Sequence, residues 1–285
     1  MLFRIDDIPI LYEDTEILVL NKPAGIAVIH ERYEKGELSL LELLTERGGS
    51  SGGQTMNPVQ FRDQAYSTPL DSPIRPIHRI DKETSGVVLF AKTEEAFRGL
   101  SLQFQERTLT KIYHALVAGR PGWVEQNCDA LLLVDGDRRH RTIVHREGKP
   151  SHTLLRVLET FRDFALVEAQ PKTGRTHQIR AHLSYLGHSI VGDALYGGGE
   201  GLFLSAFKRG YKGLRPIAVN SERGGGREKE ASRSVEVEKP LIGRLALHAL
   251  SLECWHPRTG ASLRFEAPYP KDLTVALKQL RKYGK

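Results

Sequence analysis

The chain has 285 residues, 40% of them hydrophobic, which is enough to bury a sizeable core and too apolar for a disordered chain. Its 41 Lys and Arg stand against 35 Asp and Glu, a net charge of +6 that suits a polyanionic partner without demanding one. The two lone cysteines, Cys128 and Cys254, exclude a disulfide scaffold and a cysteine-rich metal site, and they fit a reducing compartment.

The first twenty residues, MLFRIDDIPILYEDTEILVL, carry acids where a leader peptide needs a basic segment and an unbroken apolar stretch. No apolar run approaches the roughly 20 residues that span a bilayer. The expectation is a cytoplasmic protein without a membrane span. Ile17 to Leu20 reads as a short strand that ends in a turn at Asn21-Lys22-Pro23-Ala24-Gly25. Residues 38–47 place leucines at 40, 41, 43 and 44, a helical stripe stopped by Gly48-Gly49. Residues 48–76 are rich in Gly, Ser, Pro and Gln and read as one long loop.

Val87-Val88-Leu89-Phe90 reads as a buried strand, and Thr93 as the N-cap of a helix running to about Arg107 with Ala96, Leu100 and Phe104 on one face. Residues 111–118 alternate, with Tyr113, Ala115 and Val117 sharing a side. Residues 153–170 read as two strands turned at Arg162-Asp163. Thr176 is placed to cap a short helix that Gly187 ends. Residues 245–267 form a hairpin pattern turned at His256-Pro257-Arg258-Thr259-Gly260, and 271–281 a closing helix. Residues 206–240, which contain Gly224-Gly225-Gly226 among mixed charges, are too polar for a core and are expected to be a loosely ordered surface insertion. Hairpin-joined strands outnumber strand–helix–strand crossovers, which predicts an α+β fold with a mostly antiparallel central sheet and helices packed on it.

Two stretches concentrate polar side chains where a solvated turn would not need them. In HRIDKETSG (78–86), Arg79 and Asp81 project to the same side of an extended chain at the mouth of the buried strand. A carboxylate there can act as a nucleophile or an acid–base if a neighbour tunes its charge, although a turn aspartate bonding its own backbone fits this stretch alone about as well. In PKTGRTHQIRAHL (171–183), Arg175, His177, Arg180 and His182 crowd the start of the helix against its dipole, which calls for an anion nearby. A metal site is not expected: His177 and His182 are five residues apart, about 140° around a helix, and His140 and His145 repeat that spacing. No phosphate loop or dinucleotide fingerprint is present, so no nucleotide cofactor is expected either.

NKPAG (21–25), HRIDKETSG (78–86), KIYHALVAG (111–119), PKTGRTHQIRAHL (171–183) and LALHALSLECWHPRTG (245–260), in this order, resemble the ordered motifs of the RluA family of RNA pseudouridine synthases over roughly residues 11–270. Ile80 stands where the family form reads His-Arg-Leu-Asp, a volume-conserving change. The resemblance implies one catalytic domain across 1–285 without a separate N-terminal RNA-binding domain, acting on ribosomal or transfer RNA with no cofactor and no metal. It implies Asp81 as the catalytic aspartate, Arg180 as its ion-pair partner, and Tyr113 as the tyrosine that stacks on the base and helps remove a proton. It further implies that Arg79 fills the RNA stack when the uridine flips out, with His78, Arg175 and His177 binding substrate. A catalytically silent RNA-binding protein on the same scaffold is the competing reading. Asp81, Tyr113 and Arg180 together argue against it, because binding alone needs no carboxylate beside a phosphate-rich ligand. A histidine-dependent phosphoesterase is disfavoured by the histidine spacing.

Overall fold

The computed structural model describes residues 3–30, 38–47, 56–61, 64–69, 74–199, 201–211 and 238–285. In chain order its elements are β1 (Ile10–Glu13), β2 (Ile17–Lys22), α1 (Leu40–Arg47), β3 (Met56–Phe61), β4 (Gln64–Pro69), β5 (Arg75–Pro76), β6 (Ser85–Ala91) and α2 (Glu94–Glu106). There follow β7 (Thr110–Ala118), β8 (Glu125–Leu133), β9 (Ile143–Val144), β10 (Lys149–Thr160), β11 (Phe164–Pro171), α3 (Gln178–Tyr185), β12 (Leu247–Trp255), β13 (Ser262–Glu266) and α4 (Lys271–Tyr283).

One large sheet runs β1-β2-β6-β12-β7-β11-β10-β8-β9, with β13 beside β12 and β5 beside β6. Its pairs are antiparallel except β6 with β12, which run parallel through Ser85–His248 and Gly86–Ala249. The expected α+β architecture is therefore observed. All seven residues of β6 are buried, because both faces of the sheet are covered there. Its side chains alternate between two cores. Val88 and Phe90 join the core that α1, α3 and α4 cover, and Val87 and Leu89 join the one under α2.

The helices form where local chemistry places them. The Thr93 hydroxyl accepts the Ala96 N–H at 3.2 Å, Glu94 and Glu95 complement the helix dipole, and Ala96, Leu100 and Phe104 are the buried stripe of α2. At α1, Ser39 and Glu42 exchange backbone and side-chain hydrogen bonds in a capping box.

Two boundaries depart from expectation. The stretch 48–76, read as a loop, contains β3 and β4, which pair with each other as a separate two-stranded sheet. Pro58 and Pro69 hide these strands from a periodicity reading, and a two-stranded ribbon tolerates them because both strands are edges. The stretch 206–240 is anchored at its start by Phe207, which is buried in the main core. Its base is closed by a bridge between Leu202 and Ile242 and by the Ser205 N–H on the Glu238 carboxylate at 2.9 Å. The glycine-rich part of that stretch, 212–237, lies outside the described residues. Among the described residues no helix is long and apolar enough to cross a membrane.

Candidate active site

Residues 77–84 form the turn that enters β6, and its shape is set by three contacts. The Thr84 N–H donates to the Asp81 carbonyl at 3.0 Å, closing the turn. Lys22, wholly buried at the end of β2, donates from Nζ to the carbonyls of Pro23 (2.9 Å), Ile26 (2.7 Å) and Lys82 (2.9 Å). Gly25, at φ +93°, adds its own N–H to the Lys82 carbonyl at 2.8 Å. The Asn21–Gly25 turn thus clamps the Asp81 turn through one carbonyl. Gly86 lets β12 approach: a Cβ there would lie 2.1 Å from the Ala249 carbonyl oxygen. The polar stretch closes on glycine because a parallel strand passes directly against it.

Across the cleft, α3 presents Arg180. The helix start is fixed by Gln178 rather than by a capping hydroxyl. Its buried amide oxygen accepts from the Thr173 hydroxyl (2.7 Å) and the Arg175 N–H (3.0 Å). Its Nε2 donates to the His152 carbonyl (3.0 Å) and Thr153 Oγ1 (2.8 Å). The N-cap is His177 in the left-handed region at φ 52°, not Thr176 as expected. A side chain that pins the preceding turn to β10 replaces the local cap, which helix-start rules do not anticipate.

The Arg180 guanidinium bridges two carboxylates. NH1 donates to Asp81 Oδ2 at 3.1 Å, while Nε and NH2 hold Asp193 in a fork at 2.8 and 2.9 Å. The ring of Tyr196 lies 5.0 Å from the guanidinium carbon. Asp193 is itself anchored by the Leu195 and Tyr196 N–H groups, each at 3.2 Å. Burial pushes the Asp81 carboxyl up, but the charges of His177, Arg180 and Arg79 and the Arg180 hydrogen bond outweigh it and hold the carboxyl below its ordinary value. For Arg180 burial acts downward, and the bonds and charges of Asp193 and Asp81 overcome it, leaving its pKa raised. The site keeps an ionised carboxylate with its side chain only 22% exposed.

These groups open on a cavity of about 560 Å³, within the range that takes a nucleotide-sized ligand. His78, Arg79, Asp81, Tyr113, Arg175, His177 and Arg180, all singled out in the sequence, line it. Tyr113, on β7, is 9% exposed, so its ring forms wall rather than rim. His78 is buried, stacked on Phe104 at 5.3 Å, and its Nε2 accepts the Leu89 N–H at 3.2 Å, so the ring also anchors the turn to β6. His177 meets the Tyr196 hydroxyl at 3.3 Å. His182 does not join the cationic cluster. It is fully buried with Nδ1 against Thr153 Oγ1 at 2.9 Å, and burial pulls its pKa down to about 4, so it is neutral at pH 7.

Comparison with known proteins decides the family. A model of the RNA pseudouridylate synthases matches residues 16–185. The uncharacterized RNA pseudouridine synthase YlyB of Bacillus subtilis is 34% identical over 280 residues, covering 98% of this chain and 74% of that protein. The ribosomal large subunit pseudouridine synthase C of Escherichia coli K12 is 37% identical over 278 residues, covering 95% of this chain and 70% of its own. The chain belongs to the RNA pseudouridylate synthase family. Two solved human structures share the fold. RNA Pseudouridylate Synthase Domain Containing 4 aligns with a TM-score of 0.62 at 23% identity, over 95% of this chain and 92% of that one. Domain Containing 1 aligns with a TM-score of 0.61 at 24% identity, over 95% and 86%.

The synthase converts uridine in RNA to pseudouridine. Three of its site residues escaped the sequence reading: Lys22, Gln178 and Asp193. Lys22 reaches the Lys82 carbonyl and Gln178 reaches His152 and Thr153 on β10, whereas Asp193 acts through Arg180, 13 residues before it. Their one sequence signal is polarity inside an otherwise core-forming stretch.

Proposed function

We propose that the synthase acts on large-subunit ribosomal RNA, with Asp81 as nucleophile towards a uridine flipped into the cavity. The flipped base enters the space beside Tyr113, and Arg79 takes its place in the RNA stack. Bond formation by the Asp81 carboxylate lets the C1′–N1 glycosidic bond break while the base stays held. The uracil then turns, and C1′ bonds to C5 as the bond to Asp81 breaks and returns the free carboxylate. The proton at C5 leaves, with Tyr113 placed to assist its removal, and N1 takes up a proton. Substrate and product have the same composition, so the overall reaction consumes no reductant and no group donor.

The observation that carries this reading is the Arg180–Asp81 pair at 3.1 Å within a cavity of nucleotide size. A carboxylate must be ionised to attack, burial opposes ionisation, and the guanidinium offsets that penalty in a geometry that lysine cannot reproduce. Large-subunit RNA is the target after which the Escherichia coli relative is named. His78 supports the turn and the base, and Arg175 and His177 bind on the cavity wall. Arg175 Nε is buried without a hydrogen-bond partner among the described residues, as a group reserved for an anion would be.

The test is tritium release from large-subunit ribosomal RNA labelled at uridine C5. Wild type should release tritium, and Asp81→Asn should release none while keeping its fold and RNA affinity, because an amide is isosteric but not nucleophilic. Turnover by that variant above a small fraction of wild type would sink the assignment of Asp81. Release from transfer RNA alone would move the target.

A further inference from the structure

The end of the β8–β10 hairpin carries more positive charge than its own structure uses. Residues 134–149 contain Arg138, Arg139, His140, Arg141, His145, Arg146 and Lys149 against the acids Asp135, Asp137 and Glu147. Arg141 is occupied, its Nε on Asp137 at 2.7 Å and NH1 on the Leu195 carbonyl at 3.4 Å. Arg139 spends one donor on the Ala194 carbonyl at 3.2 Å. Arg138 and Arg146 are exposed and have no ion-pair partner among the described residues. With Asp137 taken by Arg141 and Asp135 3.9 Å from His140, the Arg138 and Arg146 charges are not used by the fold.

The arm stands at the site. Leu133, Val134, Asp135, Glu147 and Lys149 are part of the cavity wall that also carries Asp81 and Arg180. It is also held rigidly. The Asp137 carboxylate accepts the N–H groups of Arg139 (3.0 Å) and Arg141 (3.1 Å), and the Gly136 N–H donates to the Arg141 carbonyl at 2.8 Å. The Tyr196 hydroxyl accepts the Thr142 N–H at 2.9 Å and donates to the Thr142 carbonyl at 3.1 Å. Tyr196 is the residue whose ring lies under Arg180, so the arm is fastened to the turn that orients the Asp81 partner. A backbone held in place before binding lowers the ordering cost of presenting these side chains.

We propose that residues 135–149 form a phosphate clamp for the RNA backbone flanking the target uridine, with Arg138 and Arg146 as contact residues. This rests on the synthase reading and deepens it. A uridine extruded into the cavity leaves its neighbouring phosphates at the cavity mouth, where the arm stands. Guanidinium groups bind phosphate oxygens in a fork and release condensed counterions as they do so. The proposal therefore commits to RNA backbone and not to bases.

The test uses the full chain with Arg138→Gln/Arg146→Gln, and Arg98→Gln/Arg264→Gln as a control of equal charge change on residues outside the cavity wall. The probe is unmodified large-subunit ribosomal RNA transcribed in vitro. Expected for the arm variant are an unchanged melting temperature and unchanged kcat, with KM raised severalfold. The plot of log Kd against log salt should flatten by about 1.4 to 1.8, the slope of two phosphate contacts. The control should match wild type. If KM and salt slope stay at wild-type values while wild type forms pseudouridine, the clamp is overturned and the synthase reading stands. If wild type forms no pseudouridine in ribosomal or transfer RNA yet the arm variant still loses salt-dependent RNA affinity, the synthase reading fails and the clamp survives as an RNA-binding surface. Equal loss in the control, or loss only towards a polyglutamate peptide, also overturns the clamp.

Discussion

Arg180 serves two carboxylates at once, and its donors divide between them: the Nε–NH2 edge goes to Asp193 and NH1 to Asp81. The fork fixes the plane of the guanidinium, so the single bond to Asp81 has a defined direction. Asp193, with a side chain of 0% exposure, is therefore a positioning residue in the proposed reaction, acting through Arg180. Arg180→Ala would strand both carboxylates. Breaking a buried pair from one side costs about 3–5 kcal/mol, and urea unfolding at pH 7 should show a loss of that order. Activity should fall as well, and the acid limb of the kcat/KM profile should move to higher pH, because burial still raises the Asp81 pKa while its nearest guanidinium is gone. The folded pKa of Asp81 lies below its unfolded value. Its stabilising contribution is thus fully present above the unfolded pKa of about 3.9 and is lost as pH falls through the folded one. The melting-temperature gap between wild type and Arg180→Ala should be widest near neutrality and narrow below about pH 4. A gap that stays constant in acid would contradict this account of the pair.

At the scale of elements, the Asp81 turn depends on its neighbours more than on its own residues. Lys22 is a lysine used as a structural clip, with three carbonyls around Nζ and burial pulling its pKa down to about 7. Lys22→Met keeps the volume and strands those carbonyls, each unsatisfied acceptor costing about 1–3 kcal/mol. The variant should unfold at lower urea and lose activity, although Lys22 is not on the cavity wall. Because the folded pKa is depressed, the unfolded chain binds the extra proton between about pH 7 and about 10.4. Wild-type stability should gain from this group as pH rises through that window, and Lys22→Met should lack the gain. The packing of α2 sets a reference for ordinary core loss: Leu100→Ala should cost about 2–5 kcal/mol in urea unfolding and leave kcat nearly unchanged, since Leu100 lies in the core and not on the cavity wall.

For the molecule as a whole, the sheet brings β6, β7 and β12 side by side, with α3 beyond β11 and β10 supplying the opposite wall of the cavity. His177 and His182, the closely spaced pair on the α3 segment, are put to different uses. His177 faces the cavity and His182 bonds Thr153 in the interior. Activity should therefore survive exhaustive EDTA treatment, as the mechanism proposed for Asp81 predicts. Loss of tritium release with EDTA and recovery on adding a divalent ion would reopen the metal question.

What the sequence determined by itself was local or carried by ordered motifs. The Thr93 cap and the 96–100–104 stripe, the alternation of 111–118 and the turn at 256–260 depend on neighbours within a few residues, so their chemistry is visible along the chain. The motif order marked Asp81, Tyr113 and Arg180 as belonging together although 99 residues separate Asp81 from Arg180. Only the tertiary structure decided that Asp193 holds Arg180, that Lys22 holds the Asp81 turn, that Gln178 replaces a helix cap, and that His182 is interior. It also decided that β6 runs parallel to β12, a pairing across 163 residues at Ser85 and His248. The physical reason is common to all of them. A buried donor must find an acceptor, but which acceptor it finds depends on which segments the sheet brings within 3 Å, and composition and periodicity do not carry that distance.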